Sequence, residues 1–129
     1  MQSNNAERVE PATSTKDAIE GYFSCLKRGQ GWDTFFSEDI LFTSFTSPVK
    51  QLKGKAVVLL ATRGFYGMIR SFEVRDLLVE SGRACALTRY ELQPPAGGAF
   101  RSDVAEVFTV VNGQIEEFSI YFDSAAFPR

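Results

Sequence analysis

Hydrophobic and polar positions alternate most regularly near the end of the chain. Phe100, Ser102, Val104, Glu106, Phe108 and Val110 alternate with Arg101, Asp103, Ala105, Val107, Thr109 and Val111. This two-residue period marks a half-buried strand, and Glu106 is the one charged residue of the first set. The chain folds back at Val111-Asn112-Gly113-Gln114 and continues to Asp123. A two-residue Asn-Gly loop pairs Val111 with Gln114 and sets Phe118, Ile120 and Phe122 beside Val107, Ala105 and Asp103. A three-residue loop with Gly113 left-handed pairs Val110 with Gln114 and sets them beside Phe108, Glu106 and Val104. One residue of slip moves every side chain to the other face. The three-residue loop is preferred because it gathers the large apolar residues on one face, with Glu106 buried among them.

The rest reads as a cover over that strand pair. Met1 to Thr13 is polar and aperiodic, a disordered arm, with one domain from Ser14 to Arg129. Ser14-Thr15-Lys16-Asp17 fits a capping box that starts a helix. Ile19, Tyr22, Phe23 and Leu26 form its apolar stripe, and Gly29-Gln30-Gly31 ends it. Gly21 within it suggests close packing beside Tyr22. Trp32, Phe35 and Phe36 give a short second helix, and Ile40 to Thr46 a strand stopped by Ser47-Pro48. A third helix spans Lys55 to Tyr66, its buried side holding Val57, Leu60, Ala61, Gly64 and Phe65. Ser71 to Glu80 and Arg83 to Gln93 form a hairpin about Ser81-Gly82, and Pro94 to Gly98 turns into the final pair. Helices first and strands after imply an α+β fold. The expected form is a cone-shaped barrel, with three N-terminal helices on the concave face of a strongly curved antiparallel sheet and an apolar pocket beneath them.

A length of 129 residues suits one domain with one core. Twelve Phe, four Tyr and one Trp make that interior aromatic. A net charge of -2 argues against nucleic acid or anionic membrane as partner and for a small apolar ligand. With no histidine, the commonest general base, the usual zinc ligand and any imidazole-dependent triad are excluded. Carboxylates, Tyr, Arg and Lys must carry any chemistry, and no metal or cofactor is expected. Cys25 and Cys85 are expected as free thiols in a cytoplasmic protein, with no secretion signal or spanning segment.

Three stretches together carry a family likeness: Leu26-Lys27-Arg28-Gly29, Phe35-Phe36-Ser37-Glu38-Asp39, and Val107 to Ile115 before Tyr121-Phe122-Asp123. With the element order, they resemble the SnoaL-like branch of the nuclear transport factor 2-like superfamily, over about Ser14 to Phe127. That fold hosts isomerases, cyclases, dehydratases, epoxide hydrolases and non-enzymatic modules. Ketosteroid isomerases use a helix-one Tyr and a protonated strand carboxyl, a pair that serves as a standard example of a carboxylic acid kept neutral. The matching positions are Tyr22 and Glu106, while the shuttling Asp falls near Ser44 or Ser47. The Arg-x-carboxylate pair of limonene epoxide hydrolases resembles Arg89-Tyr90-Glu91. The second Asp of that family falls at Ile120, and its Tyr and Asn at Phe42 and Ser44.

The resemblance thus implies a pocket into which Arg89 and Glu91 face. Period alone sends Ala86, Thr88, Tyr90 and Leu92 inward and Leu87, Arg89 and Glu91 to solvent; the expectation adopted is inward. Phe23, Phe42, Ser44, Phe65 and Leu87 would line the pocket from one side. Val104, Phe108, Phe118, Ile120 and Phe122 would line it from the final pair. The expected activity is cyclisation or isomerisation of a small apolar oxygenated molecule (polyketide-, steroid- or terpenoid-like) by proton transfer beside a carbonyl. Glu106 is the base or acid, Tyr22 the oxyanion donor, and Arg89 with Glu91 fix polarity. A non-catalytic ligand-binding or assembly module is the alternative, with water attack on an epoxide the third reading. Ordinary roles compete with these: Glu106 paired with an Arg, Tyr22 a packing residue, Arg89 and Glu91 an exposed pair. Val107, Thr109, Tyr121 and Ala105 on the convex face suggest a homodimer.

Overall fold

The computed structural model describes residues 11–46 and 48–127. Most of the expected arm, and Ser47, lie outside the described residues. In chain order the elements are α1 (Ala12–Arg28), β1 (Phe36–Ser44), β2 (Lys50–Lys53), α2 (Lys55–Met68), β3 (Ile69–Glu80), β4 (Arg83–Leu92), β5 (Phe100–Val111) and β6 (Gln114–Phe122). The architecture is α+β. The six strands form one sheet in the order β2-β1-β6-β5-β4-β3, antiparallel except where β1 meets β6. Among the described residues there are two α-helices rather than three, because Trp32–Phe35 forms only a single 3-10 turn and Phe36 already opens β1.

Helix α1 buries Ile19, Tyr22, Phe23 and Leu26. It stops at Gly29, whose φ of 80° lets Gly29 and Gln30 donate to the Leu26 and Cys25 carbonyls. Its start departs from the expected capping box: the helix begins at Ala12 with Pro11 as cap and no side-chain cap bond. The Thr15 hydroxyl instead donates to the Ser81 carbonyl at 2.7 Å, tying α1 to the β3–β4 turn. Gly21 faces Phe35, not Tyr22: a Cβ there would come within 2.6 Å of the ring.

Helix α2 is turned by about one residue from the expected phase. Val58 is buried, while Val57 and Leu60 are 49% and 65% exposed. The run Val57 to Ala61 is apolar throughout and so defines no face. The unpredicted β2 is a four-residue edge strand, Lys50-Gln51-Leu52-Lys53, whose polar sequence reads as a loop and whose lysines protect an edge.

The β5–β6 turn corrects one expectation and supports another. Val111 pairs with Gln114, and Asn112 and Gly113 both have positive φ, so the loop has two residues. Thr109 nevertheless pairs with Glu117 while Val110 pairs with Ile115, leaving Glu116 as a bulged residue. The bulge shifts the register by one, so Phe118, Ile120 and Phe122 stand opposite Phe108, Glu106 and Val104. The intended face is reached by a bulge instead of a longer loop. Among the described residues no helix is long and apolar enough to cross a membrane.

Candidate active site

The even-numbered residues of β5 and β4 face the helices. Glu106 is 3% exposed, and Thr88 and Tyr90 on the neighbouring strand are equally enclosed. The Tyr90 hydroxyl donates to Glu106 Oε2 at 2.7 Å. Glu106 Oε1 has no hydrogen-bond partner of normal geometry among the described residues; neither has the buried Thr88 Oγ1, although that hydroxyl lies beside the carboxyl. Burial pushes the Glu106 carboxyl from its ordinary 4.5 to about 7, against the opposing pull of the Thr88 and Tyr90 hydroxyls. Near neutrality the group is therefore close to half ionised, the condition for giving or taking a proton with little cost.

Glu106 lines a cavity of about 230 Å³ between α2 and the inner face of β1, β5 and β6. Seven expected residues border it: Phe42, Ser44, Phe65, Val104, Phe118, Ile120 and Phe122. Three do not. Phe23 and Phe108 are packed into the core against Tyr22 and each other, and Leu87 is 42% exposed on the outer face. Ala61, Thr62, Tyr66 and Phe127 complete the lining. Phe127 rests on Phe100 and Phe122 beyond the end of β6, with ring centroids 4.9 Å from each.

Tyr22 is fully buried, and its hydroxyl lies 2.6 Å from that of Tyr66. It therefore reaches the cavity only through Tyr66. Burial drives both phenols far above their ordinary value, so both remain neutral donors. The Glu106 charge contributes to the rise at Tyr22, Tyr66 and Tyr90 alike, which places the three hydroxyls and the carboxyl in one field.

Arg89 and Glu91 do not enter this site. Arg89 pairs with Asp103 at 2.8 Å and Glu91 with Arg101 at 2.9 Å, both on the partly exposed outer face. The alternation along β4 decides this: Thr88 and Tyr90 point inward, so the residues between them point out. The inward expectation for the pair is corrected, and with it goes the reading of water attack on an epoxide.

Tyr90 and Tyr66 were missed. Tyr90 already stood on the apolar face of β4 by period, opposite Ser102 and diagonal to Val104. The phase error in α2 hid Tyr66. Replacing Tyr90 by Phe removes a hydroxyl that favours the charged form, so the Glu106 carboxyl should titrate above about 7 in Tyr90→Phe. A carboxyl-carbon titration of the two proteins checks this, and an unchanged or lower midpoint would contradict the assigned hydrogen bond.

Two helices on one face of a six-stranded sheet, with an apolar chamber entered by a single carboxyl among the described residues, make a nuclear transport factor 2-like fold. Residues 19–118 match the model of the SnoaL-like domain, and the chain belongs to that family. Solved structures agree in fold. A candidate ketosteroid isomerase from Kribbella flavida DSM 17836 is similar over 92% of this chain and 84% of its own, at 18% identity and a TM-score of 0.71. A candidate SnoaL-like polyketide cyclase from Mesorhizobium loti covers 82% of this chain and 97% of its own, at 18% identity and a TM-score of 0.68. An NTF2-like protein from Burkholderia xenovorans LB400 covers 89% and 93%, at 15% identity and a TM-score of 0.71. No curated protein sequence matches the chain.

Proposed function

We propose that the protein is an isomerase or cyclase that moves a proton at a carbon beside a carbonyl in a small, mostly apolar, oxygenated molecule. The observation that carries this reading is the buried Glu106 carboxyl, with Oε2 held by Tyr90 and Oε1 without a hydrogen bond of normal geometry among the described residues, on the wall of an apolar chamber. Ionised, Glu106 takes the proton through Oε1 and returns it at a second carbon or at the ring-closing centre. The enolate oxygen that forms meanwhile needs a neutral donor. Tyr66 is the phenol on the chamber wall, with the Tyr22 hydroxyl 2.6 Å behind it, so that a Tyr66 that donates to the enolate accepts from Tyr22. At about 230 Å³ the chamber suits a molecule of one or two rings.

The test is deuterium exchange at the acidic carbon of cyclic ketones and diketones in heavy water. Exchange should rise with pH to a plateau above about 7, following the Glu106 carboxyl, and fall roughly 10²- to 10⁴-fold in Glu106→Gln. Exchange that is indifferent to this substitution would remove Glu106 from the chemistry. Ser44 stands on the chamber wall near the position where the resemblance puts a shuttling Asp. Its lack of a carboxyl favours a second reading, a non-catalytic pocket that holds such a ligand.

The protein acts, on this proposal, as a homodimer through the outer sheet face. Leu87, Leu78 and Tyr121 are 42%, 58% and 47% exposed there, and Phe45 stacks on Tyr121 with centroids 4.7 Å apart. Tyr121→Glu should convert a dimer into a monomer in sedimentation velocity runs. A parent chain that sediments as a monomer at micromolar concentration would end the proposal.

A further inference from the structure

A second concavity, about 840 Å³ in volume, lies outside the Glu106 chamber, where the C-terminal ends of α1 and α2 meet the start of β3. Its only lining residue in common with the chamber is Tyr66. The groove collects charge of one sign. Lys27, Arg28, Arg63 and Arg70 line it against the single carboxylate of Asp33, in a chain whose net charge is -2. Among the described residues none of the four cations is in an ion pair, although Arg28 donates to Cys25 Sγ at 3.0 Å. Like charges gathered in excess of their counter-charge repel one another and lower the cost of bringing in an anion.

The floor between them is apolar, and one of its residues carries an unused donor. Trp32 and Phe72 both line the groove, with Trp32 tilted by 31° against Tyr66 at a centroid distance of 5.0 Å. The indole Nε1 of Trp32 is buried and has no hydrogen-bond partner among the described residues. A buried N–H without an acceptor carries its desolvation cost uncompensated. Gly67 lies in the same wall, and a Cβ there would meet nothing within 4 Å. Close packing therefore does not account for this glycine, and its lack of a side chain leaves the groove wide.

We propose that this groove binds an organic anion: a flat apolar body laid on Trp32 and Phe72, with a carboxylate or phosphate group held by Arg63, Arg70 and the basic end of α1. The site is separate from the chemistry assigned to Glu106 and stands or falls independently of it.

Trp32 is the only tryptophan in the chain, so its indole N–H gives one resolved NMR signal from a residue that lines the groove. The full chain is titrated with naphthoate, naphthyl phosphate, the uncharged naphthalenemethanol and inorganic phosphate. The expected result is that naphthoate, naphthyl phosphate or both shift the Trp32 signal and the Gly67 amide while Ala61 and Thr62, which line only the inner chamber, stay in place. The stronger of the two identifies the anionic group. Arg63 and Arg70 are exposed, so Arg63→Ala with Arg70→Ala should fold normally and weaken binding at least about tenfold. Gly67→Leu, which fills the groove and keeps every charge, should weaken it as well. The proposal is overturned if naphthalenemethanol binds as well as naphthoate, or if neither anion moves Trp32. It is equally overturned if inorganic phosphate alone matches the organic anions, or if the arginine variant binds unchanged.

Discussion

Glu106→Gln is expected to unfold at about pH 8 with a free energy up to roughly 3 kcal/mol greater than the parent chain, and with little difference at about pH 4. The sign follows from the proton count. The carboxyl titrates near 4.5 when the chain is unfolded and at about 7 when folded. Below both values each state holds the proton and the group is neutral in its effect. Between them the unfolded chain has released the proton while the folded chain keeps it, so stability falls as pH rises through that window. Above about 7 both states are ionised, and the full cost of burying a carboxylate is borne by the fold. Glutamine has the same shape, retains an oxygen to accept from Tyr90, and never ionises. Urea denaturation across this range, read by the single Trp32, measures the difference. Parallel pH profiles for the two proteins would show that Glu106 is not the buried ionising group. A variant that becomes more stable as it loses activity has the behaviour of a site whose strain serves chemistry.

The second large effect is structural. Phe108→Ala should lose about 3–5 kcal/mol of stability, a sizeable part of the roughly 5–15 kcal/mol that holds a domain together. Phe108 is fully buried, and its ring lies 4.7 Å from Phe118, 5.9 Å from Tyr22 and 6.2 Å from Phe23 between centroids. Its removal leaves a cavity under α1 at the point where Tyr22 is positioned behind Tyr66. The midpoint of urea unfolding checks this, and a loss below about 1 kcal/mol would mean that the aromatic cluster closes over the gap.

How much of this was legible in the sequence depended on whether a pattern had one solution. The stripe of α1 and the alternation of β5 each did, and Glu106 stood out there because it broke an apolar period. In β4 the period placed Thr88 and Tyr90 inward, and it proved a better guide than the resemblance that sent Arg89 and Glu91 the same way. The strand parity that buries Tyr90 is what exposes its neighbours. Where several phases fit equally well, as in the uniformly apolar run of α2, the sequence could not choose, and Tyr66 was lost from the site. The bulge at Glu116 lies beyond local pattern altogether. It is set by the match of two inner faces across the sheet, with the Asn-Gly turn free to adopt its preferred two-residue form. Phe127 closes the chamber from beyond the last strand, where no periodicity remains to follow.

The central claim is that one carboxyl in an apolar chamber holds its proton to near neutrality. Its most direct test is carboxyl-carbon NMR titration of Glu106 in the folded protein, assigned by the signal missing from Glu106→Gln. The account predicts a midpoint at about 7. A midpoint at or below the ordinary 4.5 would mean a carboxylate stabilised as an ion, and would contradict it.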